Sequence, residues 1–199
     1  MKEAGGAQSE KAGNEAAAED RRLMARVQCG DEAAFGALME RWERPVKAVI
    51  ARLVFNATEA GELAQETFVR VWQQREKFRA GAEFRPWVFS IAVNLARNRM
   101  RWWRRRPSVS LQEWNETAGG GNQENGAGAV ALETAERAVA VRDAIAALPA
   151  ELREAIVLFE YEHMSQAEIA TAVGATPKAV ETRIYRAKEK LRTALRRWV

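Results

Sequence analysis

Apolar residues recur at helical spacing along most of this chain. Phe35, Leu38, Met39, Trp42, Val46, Val49, Ile50 and Leu53 fall on one side of a predicted helix, with Asp31 ahead of Glu32-Ala33-Ala34-Phe35 as its N-cap and Pro45 as a kink within it. In the next helix Leu63, Ala64, Thr67, Phe68, Val71 and Trp72 form the buried half, leaving Glu62, Gln65, Glu66, Val69, Arg70 and Gln73 outside. A third helix, from near Pro86, carries Val88, Phe89, Ile91, Ala92, Val93, Leu95 and Ala96 around most of its circumference. Only a narrow polar stripe is left on it: Trp87, Ser90, Asn94, Arg97, Asn98, Arg101 and Arg105. No strand alternation or hairpin signal competes, so the predicted fold class is all-α.

Breaks in the pattern predict two small helical domains joined by a flexible linker. Residues 1–20 are small, polar and without periodicity, and read as a disordered tail. Residues 21–106 form the first domain; residues 107–133, with Gly119-Gly120-Gly121-Asn122 and Gly126-Ala127-Gly128, have linker composition; residues 134–199 resume helical patterning.

The second domain is predicted to be a helix-turn-helix. Ser165-Gln166-Ala167-Glu168 is a capping box that starts a helix through Ile169, Ala170 and Val173 to Gly174. Thr176 as N-cap and Pro177 in the first helical position start another at once, and so short a turn makes the two helices cross steeply. On the second helix Val180, Ile184, Ala187 and Leu191 share the core face, turning Lys178, Glu181, Thr182, Tyr185 and Arg186 outward, where they can enter a major groove. Arg183, Arg186, Lys190 and Arg197 make a basic flank suited to phosphates. The competing reading is an ordinary amphipathic hairpin with solvated charges; the Gly174 turn, the Thr-Pro start and the one-sided arginines favour DNA.

Composition narrows the chemistry. The net charge of +4 over 199 residues is modest, so the placement of arginines matters more than their sum. Cys29 and His163 are the single residues of their kinds, which leaves no disulfide, no zinc-ligand spacing and no nucleophile–base pair, and there is no phosphate-binding glycine loop. The expectation is a non-enzyme with no metal or cofactor, His163 serving as a cap or surface residue. The acidic, alanine-rich start has no signal-peptide core, and no run approaches the roughly 18 apolar residues of a membrane span, so a cytoplasmic protein is expected.

In the first domain, the stripe of an aromatic, two amides and three arginines suits single-stranded nucleic acid, which needs stacking and amide groups beside backbone-binding cations. Phe78 and Phe84 flank Arg79-Ala80-Gly81-Ala82-Glu83, and either anchor the core or present a ring to an unstacked base. The Trp102-Trp103-Arg104-Arg105-Arg106 run lacks the amphipathic surroundings of a membrane anchor and reads as part of the nucleic-acid surface. Val69 among carboxylates and amides is either a docking face for a basic helix or one stray apolar residue on a solvated face.

Ala60-Gly61-Glu62-Leu63-Ala64-Gln65-Glu66-Thr67-Phe68 followed by Val71-Trp72 resembles the polymerase-binding helix of sigma-70 family sigma factors. Phe84-Arg85-Pro86-Trp87-Val88-Phe89-Ser90-Ile91-Ala92-Val93-Asn94-Leu95-Ala96-Arg97-Asn98 resembles their promoter-melting and −10-reading helix, and the stretch from Leu148-Pro149 through Ala179 to Lys188 their −35-reading domain. The absence of other sigma domains points to the small extracytoplasmic-function (ECF) type.

The resemblance implies that Glu62, Gln65, Glu66 and Val69 meet the clamp helices of the largest subunit of core RNA polymerase, and that Asn94 melts promoter DNA with Phe78 and Arg79 placed to capture a flipped base. It implies that Arg183, Tyr185 and Arg186 contact the −35 site and that an anti-sigma partner restrains the protein; the helical faces read above then assign Lys178, Glu181, Thr182 and Lys190 to the same −35 site and the stripe residues Trp87, Arg97, Asn98, Arg101 and Arg105 to the −10 site. Gly61-Glu62 stands where the family often has Glu-Asp, and Glu181 where many members carry a basic or neutral residue; a glutamate there can accept from a cytosine amino group. The main alternative is a helix-turn-helix regulator that acts without replacing the sigma subunit; an RNA-binding protein is a further one.

Overall fold

A computed structural model describes residues 4–105 and 129–198, and the described residues hold helices and turns without a strand. Four helices make the N-terminal half: α1 (Ala4–Gln28), α2 (Glu32–Val54), α3 (Ala57–Gln73) and α4 (Phe84–Arg104), with a 3-10 turn at Arg75–Lys77. Among the described residues, four more belong to the C-terminal half: α5 (Ala129–Ala146), α6 (Ala150–Glu162), α7 (Gln166–Val173) and α8 (Pro177–Ala194). Most of the expected linker lies outside the described residues.

Local chemistry explains the helix ends. Asp31 Oδ1 accepts from the Ala34 amide at 3.0 Å, and that bond, ahead of the one from Arg26, holds the carboxyl below its ordinary range. Asn56 caps α3 in the same way through the Glu59 amide at 3.0 Å. Phe55, between the two helices, adopts φ 56°, a conformation rarely taken by a bulky residue.

One expectation is corrected. The tail does not extend to Asp20: α1 starts at Ala4, and Asp20 is buried where its Oδ2 accepts from Trp42 Nε1 at 3.1 Å and Arg41 Nε sits 3.0 Å from Oδ1. Burial raises the Asp20 pKa despite these partners. The alanines of this segment have the highest helix propensity, and Leu23, Met24 and Val27 on the next turns anchor it to the core. Pro45 lies inside α2, where it was expected, and the helix runs from Glu32 to Val54 through it because Val46, Val49, Ile50 and Leu53 beyond it are fully packed.

The core sits among α1, α2, α3 and α4 and continues without interruption into the C-terminal half, where α7 packs on α4 and α6 on α2. This two-sided packing is why Val88, Phe89, Ile91, Ala92, Val93, Leu95 and Ala96 are all buried: one helix serves two neighbouring layers. An aromatic cluster holds its start, with Phe84 at 6.0 Å from Trp42, 6.4 Å from Phe78 and 5.9 Å from Trp87 between ring centroids.

Candidate nucleic-acid interface

The polar stripe of α4 emerges largely as its spacing requires. Asn94, Asn98, Arg101 and Arg105 are exposed, and Arg101 Nη2 donates to Asn98 Oδ1. Ser90 is turned inward on its own helix, its hydroxyl donating to the Trp87 carbonyl at 2.6 Å. Arg97 lies on the stripe, donating to Asn94 Oδ1 at 3.2 Å, but most of its donors are engaged elsewhere: Nε and Nη2 bind the two carboxylate oxygens of Glu154 at 3.0 and 2.6 Å. This forked hydrogen bonding raises the Arg97 pKa further above its ordinary value.

Phe78 is corrected from a base-capturing residue to a core residue in this conformation. Its ring is 6% exposed, lies edge-on to Trp87 at 5.0 Å, and its carbonyl accepts from Gln28 Nε2 at 2.8 Å. Two neighbouring rings, Phe84 and Trp87, and the Gln28 bond to its backbone reward burial more than solvent exposure would. Trp87 is drawn into the same cluster and only partly exposed. Arg79 is exposed in the turn closed by the Ala82 amide to the Arg79 carbonyl at 3.0 Å, where Gly81 takes φ 78°.

On α3, Glu62, Gln65 and Val69 are exposed, Val69 by 49%, and Glu66 is half-buried with Arg70 Nε at 2.8 Å. A groove of about 620 Å3 runs between this face and α4, with Glu62, Glu66 and Arg70 on one wall and Asn98, Arg99 and Trp102 on the other. Sequence reasoning separated these two surfaces; the packing of α3 on α4 joins them. It also missed Arg99, which pairs with Glu59 and approaches Glu62 to 4.0 Å. Helical spacing of Trp102 four residues after Asn98 was the available signal. A Cβ at Gly61 would meet only Lys47 side-chain atoms at 3.9 Å, so packing does not require glycine there.

The helix-turn-helix follows the predicted chemistry. The Glu168 amide donates to Ser165 Oγ at 3.2 Å and the Ser165 amide to Glu168 Oε2 at 2.8 Å; Gly174 takes φ 68°, and Thr176 Oγ1 accepts from the Ala179 amide at 3.2 Å. His163 is the left-handed cap of α6. Outward on α8 stand Lys178, Glu181, Thr182, Tyr185, Arg186 and Lys190, with Tyr185 67% exposed. Lys178 Nζ pairs with Glu181 at 2.8 Å, and Thr182 Oγ1 bonds to the Lys178 carbonyl at 3.0 Å. Arg183 departs from the expected basic flank: its guanidinium turns onto α6 and meets Glu151 at 2.8 Å, leaving the side chain 23% exposed. Among the described residues there is no metal-binding cluster of His, Cys, Asp or Glu and no helix long and apolar enough to cross a membrane.

Known proteins share this arrangement. Residues 38–106 match Sigma-70 region 2, and residues 138–191 match Sigma-70, region 4. The RNA polymerase sigma-H factor of Pseudomonas aeruginosa is 35% identical over 186 residues, which cover 89% of this chain and 94% of that protein. The ECF RNA polymerase sigma-E factor of Escherichia coli K12 is 32% identical over 176 residues, 86% and 92% of the two chains. The structure of CnrH in complex with the cytosolic domain of CnrY superposes with a TM-score of 0.67 at 30% identity, over 89% of this chain and 97% of that one. The sigma factor RpoE of Bartonella quintana, in complex with the anti-sigma factor NepR, shares the fold with a TM-score of 0.60 at 21% identity, over 81% and 96%.

Proposed function

The chain belongs to the sigma-70 family and is a sigma factor of the ECF type, and from that premise we propose how its surfaces divide the work of promoter-directed initiation. It binds core RNA polymerase and promoter DNA. Residues 21–106 act as the polymerase-binding and melting domain and residues 134–199 as the upstream-reading domain, joined by the glycine-rich segment between them. It works by binding and placement in the cytoplasm, without a catalytic residue, metal or cofactor of its own. A helix-turn-helix regulator lacking a polymerase-binding domain does not account for residues 38–106.

Val69 and the carboxylates of Glu62 and Glu66, with Gln65, form the face for the clamp helices of the largest polymerase subunit. An exposed valine ringed by acid suits a basic helix with an apolar seam. Asn94 and Asn98 read and hold the melted strand, and Arg101 and Arg105 neutralise its phosphates. The observation that carries this reading is the exposure of both amides on a helix whose remaining circumference is buried. On α8, Thr182, Tyr185 and Glu181 meet base edges, while Lys178, Arg186 and Lys190 hold phosphates. An anti-sigma factor is the natural restraining partner, since the Bartonella quintana sigma factor of this fold was solved in complex with an anti-sigma factor.

The reading is tested by mixing the purified protein with core RNA polymerase and transcribing a pool of random promoters. A stable complex that selects a two-part promoter is the expected result; a dimer on duplex DNA that ignores polymerase would overturn it. Within that system, Arg186→Ala is expected to lower the slope of log affinity against log salt by about one unit on duplex DNA, the loss of one phosphate contact. Arg183→Ala should change the slope less, because Glu151 already neutralises that guanidinium.

A further inference from the structure

Beside the continuous core, the end of α2 and the start of α3 leave a gap next to α5 and the last turn of α6. The cavity holds about 770 Å3 and opens to solvent. Ala48, Ala51 and Phe55 form its α2 wall, and Ala138, Val141 and Ile145 its α5 wall. Alanines on both walls are too short to close the space, so it stays open where the neighbouring core is filled.

The charge around this cavity is of one sign. Arg52, Arg137 and Arg142 line it, and among the described residues no Asp or Glu does. The Arg52 guanidinium lies 4.1 Å over the centre of the Tyr161 ring, and its Nη1 donates to the Ala48 carbonyl at 3.0 Å. Arg137 Nη2 donates to the Trp198 carbonyl at 2.6 Å. A guanidinium carries five N–H donors, so each of these two keeps donors beyond the one spent on a carbonyl. Asp143 stands 3.5 Å from Arg142, and Glu162 is within electrostatic reach of Arg52, but neither carboxylate lines the cavity.

The walls select the occupant. A volume of this size suits a small ligand. A nucleotide or a sugar phosphate would satisfy the arginines but would press ring heteroatoms or hydroxyls against alanine and valine without partners. An alkyl chain that ends in a carboxylate meets both parts of the lining, apolar walls and cationic rim. We propose that the cavity binds a single-chain anionic amphiphile of the fatty-acid class, with the chain between α2 and α5 and the carboxylate on Arg52 and Arg137. The site shares no residue with the α3–α4 groove or the outward face of α8, so it is a ligand site in addition to the polymerase and promoter surfaces.

The test is calorimetric titration of the full chain with monomeric dodecanoate. One equivalent is expected to bind, about fifteenfold tighter than decanoate, which is the effect of two further buried methylenes at roughly 0.8 kcal/mol each. Dodecyltrimethylammonium, with the same chain and the opposite charge, should not bind. Arg52→Gln and Arg137→Gln should each weaken dodecanoate about tenfold, the loss of a charge-assisted hydrogen bond. Ala138→Trp should abolish binding by filling the cavity; Ala138 is exposed, so the core is left alone, and thermal melting verifies that all three variants fold. Absence of saturable dodecanoate binding, equal binding of the two head groups, or binding unchanged in Ala138→Trp would each overturn the proposal. A concentration-dependent dimer in sedimentation equilibrium that Ala138→Trp disrupts would also overturn it, and would make a second copy of the chain the occupant.

Discussion

Asn94→Ala is expected to slow promoter opening by tenfold to about a hundredfold while leaving core polymerase affinity within about twofold. An amide that pairs with an unstacked base contributes on the order of 1–3 kcal/mol, which is that range of rate when the contact forms only as the strands separate. Asn94 is exposed and makes no tertiary brace; its Oδ1 accepts only from Arg97 on the next turn, at 3.2 Å. Removing the amide therefore leaves the fold and the α3 face intact. Reactivity of unpaired thymines to permanganate follows the opening step, and equilibrium binding to fluorescent core polymerase follows the other. An equal loss in both measurements would remove Asn94 from the melting surface.

Phe84→Ala is expected to cost about 3–5 kcal/mol of stability, the range for truncating a buried aromatic ring. Phe84 is 1% exposed at the first turn of α4, with Trp42, Phe78 and Trp87 around it. Its loss opens a cavity that three rigid rings cannot close, and Phe78 and Trp87 lose the packing that holds the following loop and stripe in place. Urea unfolding of the whole chain should show a lower midpoint with a similar slope. A cost under about 1 kcal/mol would mean that the cluster collapses to fill the gap, and that Phe78 is easily displaced.

These two residues illustrate different limits of sequence reasoning. Asn94 was legible because a polar residue on a helix otherwise apolar by spacing must face outward, whatever the neighbours. Phe78 was not, because loop side chains have no periodicity; only the braces from Gln28, Phe84 and Trp87 decide that its ring turns in. Arg183 fell between the cases. Its register on α8 was correct, but a guanidinium on a flexible stem chooses among partners within reach, and Glu151 of another helix is within reach at 2.8 Å.

The sequence by itself determined the helices after the tail, the caps at Asp31, Ser165 and Thr176, the turn at Gly174 and the outward faces of α4 and α8, because these depend on contacts within a few residues along the chain. The same locality made the capping box at Ser165 and the outward set on α8 readable without coordinates. Tertiary structure decided that α1 begins inside the expected tail, that α3 and α4 share one groove, and that Arg97 pairs with Glu154. Each of these is a choice of partner between segments far apart in sequence. Burial and charge pairing across such distances depend on how helices stack, and periodicity fixes only which face each helix offers to the stack.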